Sequence, residues 1–237
     1  MSRPLLTVRG LDAWYGRAQV LYGVDLEVGD GEVVALMGRN GAGKSTAMKA
    51  IMGLLASRRG EIAFAGERID GMEPHRISRA GLGYVPEDRR IFTDLTVLEN
   101  LEVGRRPARA GAPAWSVERL FALFPNLAGM PHRPGGRMSG GEQQMLSVAR
   151  TLMGNPRLVL LDEPSEGVAP VIVEQMADMI VELKKQGLSV LLSEQNMPFA
   201  SAVSDRACVL EKGQVRFAGT MAQLEADEAA RRQYLAV

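Results

Sequence analysis

The chain has 237 residues, of which 46% are hydrophobic, so it can bury a sizeable core as one domain over 1–237 or as a domain with a subdomain. Lys plus Arg and Asp plus Glu both total 28, and this zero formal charge gives no overall basic footprint for nucleic acid, although it leaves local basic patches open. Cys208 is the only cysteine, which excludes a disulfide within the chain and argues against a cysteine-based metal site.

The N-terminal segment predicts two strands and contains an aromatic pair. Residues 5–9 alternate, which is typical of a half-buried strand, and the run Val20–Val28 predicts another strand. Between them, Trp14 and Tyr15 precede a glycine. One of these rings could stack on an adenine base, or both could pack at the end of a strand, and position alone favours neither.

The stretch from Gly38 to Ser45 has the spacing Gly-x-x-x-x-Gly-Lys-Ser of a phosphate-binding loop. A short aliphatic run, Val33–Met37, predicts a buried parallel strand before it, and a helix is predicted from Thr46 to Met52. Backbone N–H groups and the helix N-terminus bind the phosphates, while Lys44 reaches the β- and γ-phosphates and the Ser45 hydroxyl ligates Mg²⁺. The predicted nucleotide-binding residues of this loop are Gly38, Arg39, Asn40, Gly41, Ala42, Gly43, Lys44, Ser45 and Thr46.

The middle of the chain changes to a helical pattern. A helix is predicted over Pro74–Ala80 and a strand over Leu82–Val85, and Thr96 with Glu99 then forms a capping box. An amphipathic helix over Ser116–Phe124 should stop at the following proline. The region from about 91 to 150 therefore predicts a helical subdomain inserted in an α/β frame.

A second capping box, formed by Ser139 and Glu142, opens the next predicted helix. Gly140 and Gly141 leave the N–H groups of that helix start bare, which suits an anion. Taken alone, these residues are also typical of a plain helix cap.

Two carboxylates end the continuous apolar strand that starts at Leu158. In a phosphate-loop protein, Asp162 at such a strand end holds Mg²⁺, and Glu163 can polarise the attacking water as a general base. The alternative is a pair of solvated acids at a loop start. A further strand is predicted over residues 188–192, and the alternation of strands and helices predicts a mainly parallel sheet with ligands at the carboxyl ends of its strands.

In this order, the motifs resemble those of the nucleotide-binding subunits of ATP-binding cassette (ABC) transporters. Gly38–Ser45 matches the Walker A loop, Ser139–Glu142 the signature motif, and Leu158–Glu163 the Walker B strand with its catalytic glutamate. The resemblance implies an α/β P-loop NTPase (RecA-like) fold with a mainly parallel sheet, an N-terminal antiparallel β-subdomain and a helical subdomain. It also implies that Tyr15, rather than Trp14, stacks on adenine.

The chain looks closest to the LivF-type subunits of branched-chain amino-acid importers. It departs from the general family at two positions, with Glu87 where a glutamine is usual and Gln195 where a histidine is usual, and the LivF-type group tolerates both changes. The resemblance implies catalytic roles for Glu163, Gln195 and Glu87 and a Mg²⁺ site formed by Ser45, Asp162 and Glu87. Gln195 can donate a neutral hydrogen bond to the γ-phosphate but brings no charge.

The partners follow from the same resemblance. Two ATPase subunits, alike or different, meet head to tail around ATP, so that Ser139, Gly140, Gly141 and Glu142 of one subunit bind the nucleotide held by the other. The sequence has neither a signal-peptide pattern nor an apolar run long enough to span a membrane, so we expect a cytoplasmic subunit at the inner face of the plasma membrane. Integral-membrane permease subunits and, indirectly, a substrate-binding protein complete the expected transporter.

Three alternatives remain at this stage. The urea and short-amide importers are near relatives of the LivF-type group, so the cargo is an analogy. A soluble ABC ATPase acting on nucleic acid or ribosomes fits the single cassette, zero charge and short insert less well. A phosphate-loop kinase would leave the residues from Ser139 to Glu142 unexplained.

Overall fold

The computed structural model describes residues 4–235, which form two β-sheets and ten α-helices within that range. The strands, in chain order, are β1 (Leu6–Tyr15), β2 (Ala18–Val28), β3 (Val33–Met37), β4 (Arg58–Phe64), β5 (Glu67–Arg68), β6 (Leu82–Val85), β7 (Leu158–Asp162), β8 (Ser189–Glu194), β9 (Arg206–Glu211) and β10 (Gln214–Thr220).

The helices, in chain order, are α1 (Lys44–Ile51), α2 (Pro74–Ala80), α3 (Val97–Gly104), α4 (Val117–Leu123), α5 (Pro125–Ala128), α6 (Gly140–Leu152), α7 (Pro170–Lys185), α8 (Met197–Val203), α9 (Met221–Ala226) and α10 (Glu228–Ala230). A 3-10 turn spans Gly135–Arg137, and a π-helical turn spans Arg231–Leu235. None of these helices, within residues 4–235, is long and apolar enough to cross a membrane.

The larger sheet has the strand order β10-β9-β3-β8-β7-β6, and only its edge strand β10 runs antiparallel to its neighbour. All five residues of β3 and of β7 are buried, which explains why both read as continuous apolar runs. In β3, Val34 and Leu36 pack with α1 and the smaller sheet, whereas Val33 faces the core that α6 and α7 share. The predicted mainly parallel sheet is confirmed.

The smaller sheet, β2-β1-β4-β5, is antiparallel throughout and confirms the predicted N-terminal β-subdomain. Strand β1 is longer than the alternating run 5–9 indicated, since it continues to Tyr15. Register shifts between Val8 and Leu11 and again between Leu11 and Ala13 explain the difference. An irregularity of this kind breaks the period-two pattern without ending the strand.

The helical region differs from its prediction in one detail. Ser116 caps α4, whose helical residues begin at Val117, but Pro125 does not simply stop the helix, because it begins the short helix α5. Proline is well tolerated at the first position of a helix, where its missing N–H would have no partner. Helices α3 to α6 lie between residues 97 and 152, and the subdomain boundaries of about 91 and 150 stay a prediction.

Two other boundaries differ at the functional edge of the large sheet. Helix α1 begins at Lys44 rather than Thr46, which places the end of the phosphate-binding loop inside the helix. The strand predicted over residues 188–192 runs from Ser189 to Glu194 instead, because β8 pairs with β7 at Ser193 and with β3 at Glu194, beyond the apolar run. Ser193 and Glu194 are polar, yet both are buried.

The tight turn between β9 and β10 connects the large sheet to the smaller one. The N–H of Gly213 donates to the carbonyl oxygen of Ala42 at 2.9 Å, and its own carbonyl oxygen accepts from the N–H of Tyr22 at 2.9 Å. Gly213 has a φ of +77°, and a Cβ placed on it would lie 1.9 Å from the carbonyl oxygen of Val20. This position therefore requires both the left-handed backbone and the missing side chain of glycine.

We expect Gly213→Ala to lower the free energy of unfolding by about 3 kcal/mol, since a strained φ and a steric collision add together. Gly31→Ala is the matched control, because Gly31 also has a left-handed φ, +69°, but has nothing within 4 Å of a Cβ. That control should lose only about 1–2 kcal/mol. Urea unfolding of both variants measures the difference, and equal losses would contradict the proposed close approach.

Candidate nucleotide-binding site

The predicted phosphate-binding loop connects β3 to α1 and is held by its neighbours. Gly38, Gly41 and Gly43 have φ values of +152°, +79° and +110°. A Cβ on Gly38 would lie 2.4 Å from the carbonyl oxygen of Leu210, and one on Gly43 would lie 2.6 Å from the side chain of Leu21. The glycines therefore allow the loop to fit between β9 and β2 in a conformation whose backbone N–H groups can bind an anion.

Lys44, the first residue of α1, has its ammonium group inside this loop. Its Nζ atom donates to the carbonyl oxygens of Gly38 at 2.7 Å and Arg39 at 3.2 Å. The same atom forms an ion pair with Glu163 Oε1 at 3.0 Å, and the two side chains are only 2% and 8% exposed. The structure thus brings the cation of the loop to the predicted catalytic carboxylate.

The Asp162 carboxylate is the centre of a small hydrogen-bond network. Its Oδ1 atom accepts from the hydroxyls of Ser45 at 2.9 Å and Ser193 at 2.7 Å. Its Oδ2 atom accepts from the Tyr84 hydroxyl at 3.0 Å. Burial and then the charge of Asp162 raise the pKa of Tyr84, so this phenol stays a proton donor.

Glu163 follows Asp162 in a strained backbone conformation with a φ of +46°. Its N–H group donates to Ser193 Oγ at 3.0 Å and to the Ser193 carbonyl oxygen at 3.2 Å, and these bonds hold that conformation. Burial pushes the pKa of Glu163 upward, but hydrogen bonds from Glu166 and Lys44 outweigh it and leave the pKa below its ordinary value. Glu163 is therefore an anion, as a general base must be.

Glu166 is the partner that shares this hydrogen bond. The bond with Glu163, followed by burial and the negative charges of Glu163 and Glu87, raises the pKa of Glu166 to about 7. Glu87 itself is exposed in the segment after β6. The catalytic and metal-binding roles of Glu87 stay predictions, although its negative charge contributes to the raised pKa of Glu166.

The two aromatic candidates are separated by their surroundings. Trp14 is partly buried, and the Arg59 guanidinium lies 5.6 Å from the centroid of one of its rings. Tyr15 is 48% exposed at the end of β1, which leaves its ring face available for stacking. The interpretation in favour of Tyr15 therefore agrees with the packing, and its contact with adenine stays a prediction.

The predicted signature residues begin α6, away from the phosphate-binding loop. Ser139 caps the helix through a reciprocal pair of bonds, Glu142 N–H to Ser139 Oγ at 3.4 Å and Ser139 N–H to Glu142 Oε2 at 2.7 Å. A Cβ on Gly140 would lie 2.8 Å from the Arg89 guanidinium, and one on Gly141 would lie 2.9 Å from Ile172. The cavity of about 160 Å³ beside Lys44 contains none of these residues; it is lined by Val20, Gly41, Gly43, Lys44, Ser45, Thr46 and Glu163.

The sequence reasoning missed Tyr84, Ser193 and Glu166. Ser193 lies directly beside Asp162 in the parallel register of β7 and β8, and Tyr84 lies beside Leu160 on the other neighbouring strand. A polar residue just after the apolar run of β8 was the available signal for Ser193. No local pattern pointed to Tyr84, because its partner is separated by 78 residues.

The oxygen ligands at this edge suit Mg²⁺. Ser45 and Asp162 supply a hydroxyl and a carboxylate that already lie within 2.9 Å of each other. Within residues 4–235, no group of three or more His, Cys, Asp and Glu side chains could hold a metal ion. Mg²⁺ fits a sparse protein site of this kind, because it retains waters and takes further oxygens from phosphates.

Comparison with known proteins gives likenesses that extend over nearly the whole chain. The family model "ABC transporter" matches residues 21–166. The high-affinity branched-chain amino acid transport ATP-binding protein BraG of Pseudomonas aeruginosa is 40% identical over 231 residues, which cover 98% of this chain and 99% of BraG. The lipopolysaccharide export system ATP-binding protein LptB of Haemophilus influenzae is 34% identical over 233 residues, which cover 98% and 97%. The solved ADP conformation of an ATP-binding cassette of an ABC transporter has a TM-score of 0.81 at 26% identity and covers 98% of each chain.

The raised pKa of Glu166 predicts a pH effect on stability. Between about pH 4.5, its ordinary value, and about pH 7, the folded chain binds a proton at Glu166 that the unfolded chain has released. The contribution of this residue to stability is therefore present below pH 4.5 and is lost as the pH rises through 7. We expect Glu166→Gln to become more stable relative to the wild-type protein as the pH rises through this window. Urea unfolding at several pH values measures this difference, and a constant difference would contradict a shared proton.

Proposed function

Because the chain belongs to the ABC transporter family, as a LivF-like ATP-binding subunit whose ATPase activity is coupled to transport, we propose that it drives the uptake of branched-chain or related amino acids. The 40% identity to BraG over 98% of the chain carries this proposal. Glu87 and Gln195, the two departures from the general family pattern, favour the same LivF-type group. The subunit works at the inner face of the plasma membrane, where separate permease subunits form the path for the cargo.

The geometry of the loop supports a direct mechanism for binding ATP. Its N–H groups and the N-terminus of α1 hold the phosphates, and Lys44 Nζ, already inside the loop, supplies the positive charge. Ser45 and Asp162 hold Mg²⁺, which, when bound, neutralises phosphate charge. Phosphates at the loop compete with Glu163 for Lys44, and this competition frees the carboxylate to accept a proton from the attacking water.

Gln195 completes the site from the end of β8. Its side chain is exposed beyond the strand, where it donates a neutral hydrogen bond to the γ-phosphate. It does not bring the positive charge that the histidine usual at this position can carry. A composite site that relies on this residue is therefore weaker in hydrolysis than a site with histidine.

A second ATPase subunit supplies the signature. Ser139 is exposed and Gly140 and Gly141 are half-buried at this helix start, and all three lie outside the cavity at Lys44 of their own chain. In a head-to-tail pair, this helix start binds the γ-phosphate held by the partner. ATP then closes the pair, and hydrolysis removes the shared ligand and opens it.

A groove between the helical region and the large sheet provides the surface for the permease. This cavity of about 580 Å³ lies beside β6 and the ends of α3 and α6, and no carboxylate lines it. Its arginines are Arg79, Arg90, Arg106, Arg109 and Arg150. Burial lowers the pKa of both Arg109 and Arg150, which is the sign of cations held without a full counter-charge. An acidic segment of the permease is the occupant that this charge pattern fits.

Lipopolysaccharide export is the second candidate function. The 34% identity to LptB over 98% of the chain is the observation that favours it. The ATPase site is common to both candidates, since the nucleotide-binding subunit does not touch the cargo. Transport of labelled leucine by vesicles that contain the complete complex separates the two functions.

We expect Glu163→Gln to reduce ATP hydrolysis by about 10²–10⁴-fold, because it removes the general base. ATP binding should remain, since the amide keeps the shape of the side chain and the loop is untouched. Phosphate release measures hydrolysis, and a fluorescent ATP analogue measures binding. Near-normal phosphate release by this variant would remove Glu163 from the role of base.

The Glu163→Gln variant also provides a test of the proposed binding of the signature by a second subunit across the ATP site. Glu163→Gln should accumulate an ATP-dependent dimer, and adding Gly141→Asp should abolish it, because the new side chain meets Ile172 and brings a carboxylate to the γ-phosphate. The matched control is Gly129→Asp, at a surface glycine in the helical region that lies outside the signature. Light scattering measures the dimer, and a dimer that survives Gly141→Asp would contradict binding across the interface.

We expect Arg79→Glu to weaken co-purification with the permease by roughly tenfold, through loss of one charge pair and repulsion of an acidic segment. Arg76→Glu is the matched control, because it lies on the same helix, α2, and is exposed but does not line the cavity. Affinity capture of the co-expressed complex measures the difference. Equal recovery with both variants would contradict docking at this groove.

A further inference from the structure

Glu194, the last residue of β8, is a buried carboxylate that the proposed mechanism does not use. It is 1% exposed, and its two oxygens divide their hydrogen bonds between two loops. Oε1 accepts from the N–H of Ser165 at 3.2 Å. Oε2 accepts from the N–H groups of Gln195 at 3.1 Å and Asn196 at 3.0 Å.

Burial of this carboxylate is costly, and its partners explain how it is tolerated. No ion pair within residues 4–235 includes Glu194. Burial raises its pKa, while the bonds from Ser165, Asn196 and Gln195 oppose this rise. The free energy that offsets desolvation therefore comes from the Ser165 side chain and from three backbone donors, and each of these hydrogen bonds is stronger towards a charged acceptor than towards a neutral one.

These donors belong to the two loops that carry the reacting groups. Ser165 lies two residues after Glu163, in the loop that follows β7. Gln195 lies at the start of the loop that follows β8, and Asn196 then caps α8 by accepting from the N–H of Phe199 at 3.1 Å. One carboxylate thus connects the Glu163 loop, the Gln195 loop and α8.

We propose that Glu194 is a positioning residue for ATP hydrolysis, which fixes the loop of Gln195 relative to the loop of Glu163 so that both side chains reach the γ-phosphate together. This inference rests on the proposed roles of Gln195 and Glu163. The hydrogen bonds of the Glu194 carboxylate go to neither the nucleotide loop nor Lys44, so this residue acts through the backbone of its neighbours. A misplacement of reacting groups by about 1 Å is enough to cost a large factor in rate.

Glutamine cannot replace Glu194 in this arrangement. Its side chain offers one acceptor oxygen and one NH₂ group, and the NH₂ group would face backbone donors on one of the two loops. Glu194→Gln keeps the size of the side chain and removes the buried charge. It therefore breaks the connection to one loop without opening a cavity.

The test is a double-mutant cycle between Glu194→Gln and Gln195→Ala, measured by the kcat of phosphate release and by ATP affinity in the purified chain. We expect Glu194→Gln to lower kcat roughly tenfold and to change the ATP Kd by less than about twofold. In the Gln195→Ala background, Glu194→Gln should lower kcat by less than about twofold, because the group that it positions is gone. The proposal would be overturned if the two substitutions lowered kcat by independent factors that multiply in the double variant. It would also be overturned if the ATP Kd rose in step with the loss of kcat.

Glu32→Gln is the matched control. The Glu32 carboxylate also accepts from a backbone N–H, that of Gly29 at 2.6 Å, but it lies beside the opposite end of β3. This variant should keep the wild-type kcat. A loss in Glu32→Gln equal to that in Glu194→Gln would assign the effect to general destabilisation and overturn the positioning role.

Amide hydrogen exchange on the wild-type chain tests the proposal without any variant. The N–H groups of Ser165, Gln195 and Asn196 should exchange more slowly than those of unpaired loop residues, and exchange at the rate of free loop amides would overturn the connection. The rate of ATP hydrolysis by Glu163→Gln distinguishes the positioning role of Glu194 from the ATPase mechanism itself. A normal rate in Glu194→Gln together with a large loss in Glu163→Gln would reject positioning by Glu194 and leave the ATPase mechanism standing.

Discussion

Strands β3, β8 and β7 run side by side in parallel, and this register places Met37 level with Glu194 and Asp162 level with Ser193. Parallel pairing brings the carboxyl ends of all three strands to one edge of the sheet. The phosphate-binding loop leaves from the first strand, and the two acidic residues leave from the third. Every contact in the site, from Lys44 with Glu163 to Ser193 with Asp162, depends on this alignment.

This edge of the large sheet carries a high desolvation free energy, because four charged side chains are buried there. They are Lys44, Asp162, Glu163 and Glu194. Each of them has partners that offset the loss of water, whether an ion pair, hydroxyl groups or backbone N–H groups. Such a network fixes positions more sharply than apolar packing does, because leaving one member without a partner would cost more than any single bond contributes.

The arrangement also separates the two halves of the proposed ATPase cycle. The loop, Asp162 and Glu163 are assembled within one chain, whereas Ser139 begins a helix whose glycines pack against Arg89 and Ile172. The signature is held by the helical region, and the same region forms one wall of the arginine-lined groove. A movement of these helices would therefore change the signature surface and the groove together, which is what coupling of hydrolysis to a permease requires.

The sequence by itself determined the parts that depend on local chemistry. The loop spacing from Gly38 to Ser45, the capping box of Ser139 and Glu142, and the apolar strand before Asp162 each act over a few residues, and each appears where it was predicted.

Only the tertiary structure decided which distant side chains complete the site. Tyr84 and Ser193 reach Asp162 from neighbouring strands, and Glu194 is buried where β8 continues past its apolar run and pairs with Met37 of β3. Packing also distinguished the two aromatic candidates, because it placed Arg59 beside the ring of Trp14. A linear pattern records periodicity and local caps, but strand register and the burial of polar ends arise only when segments far apart in the chain are brought into contact.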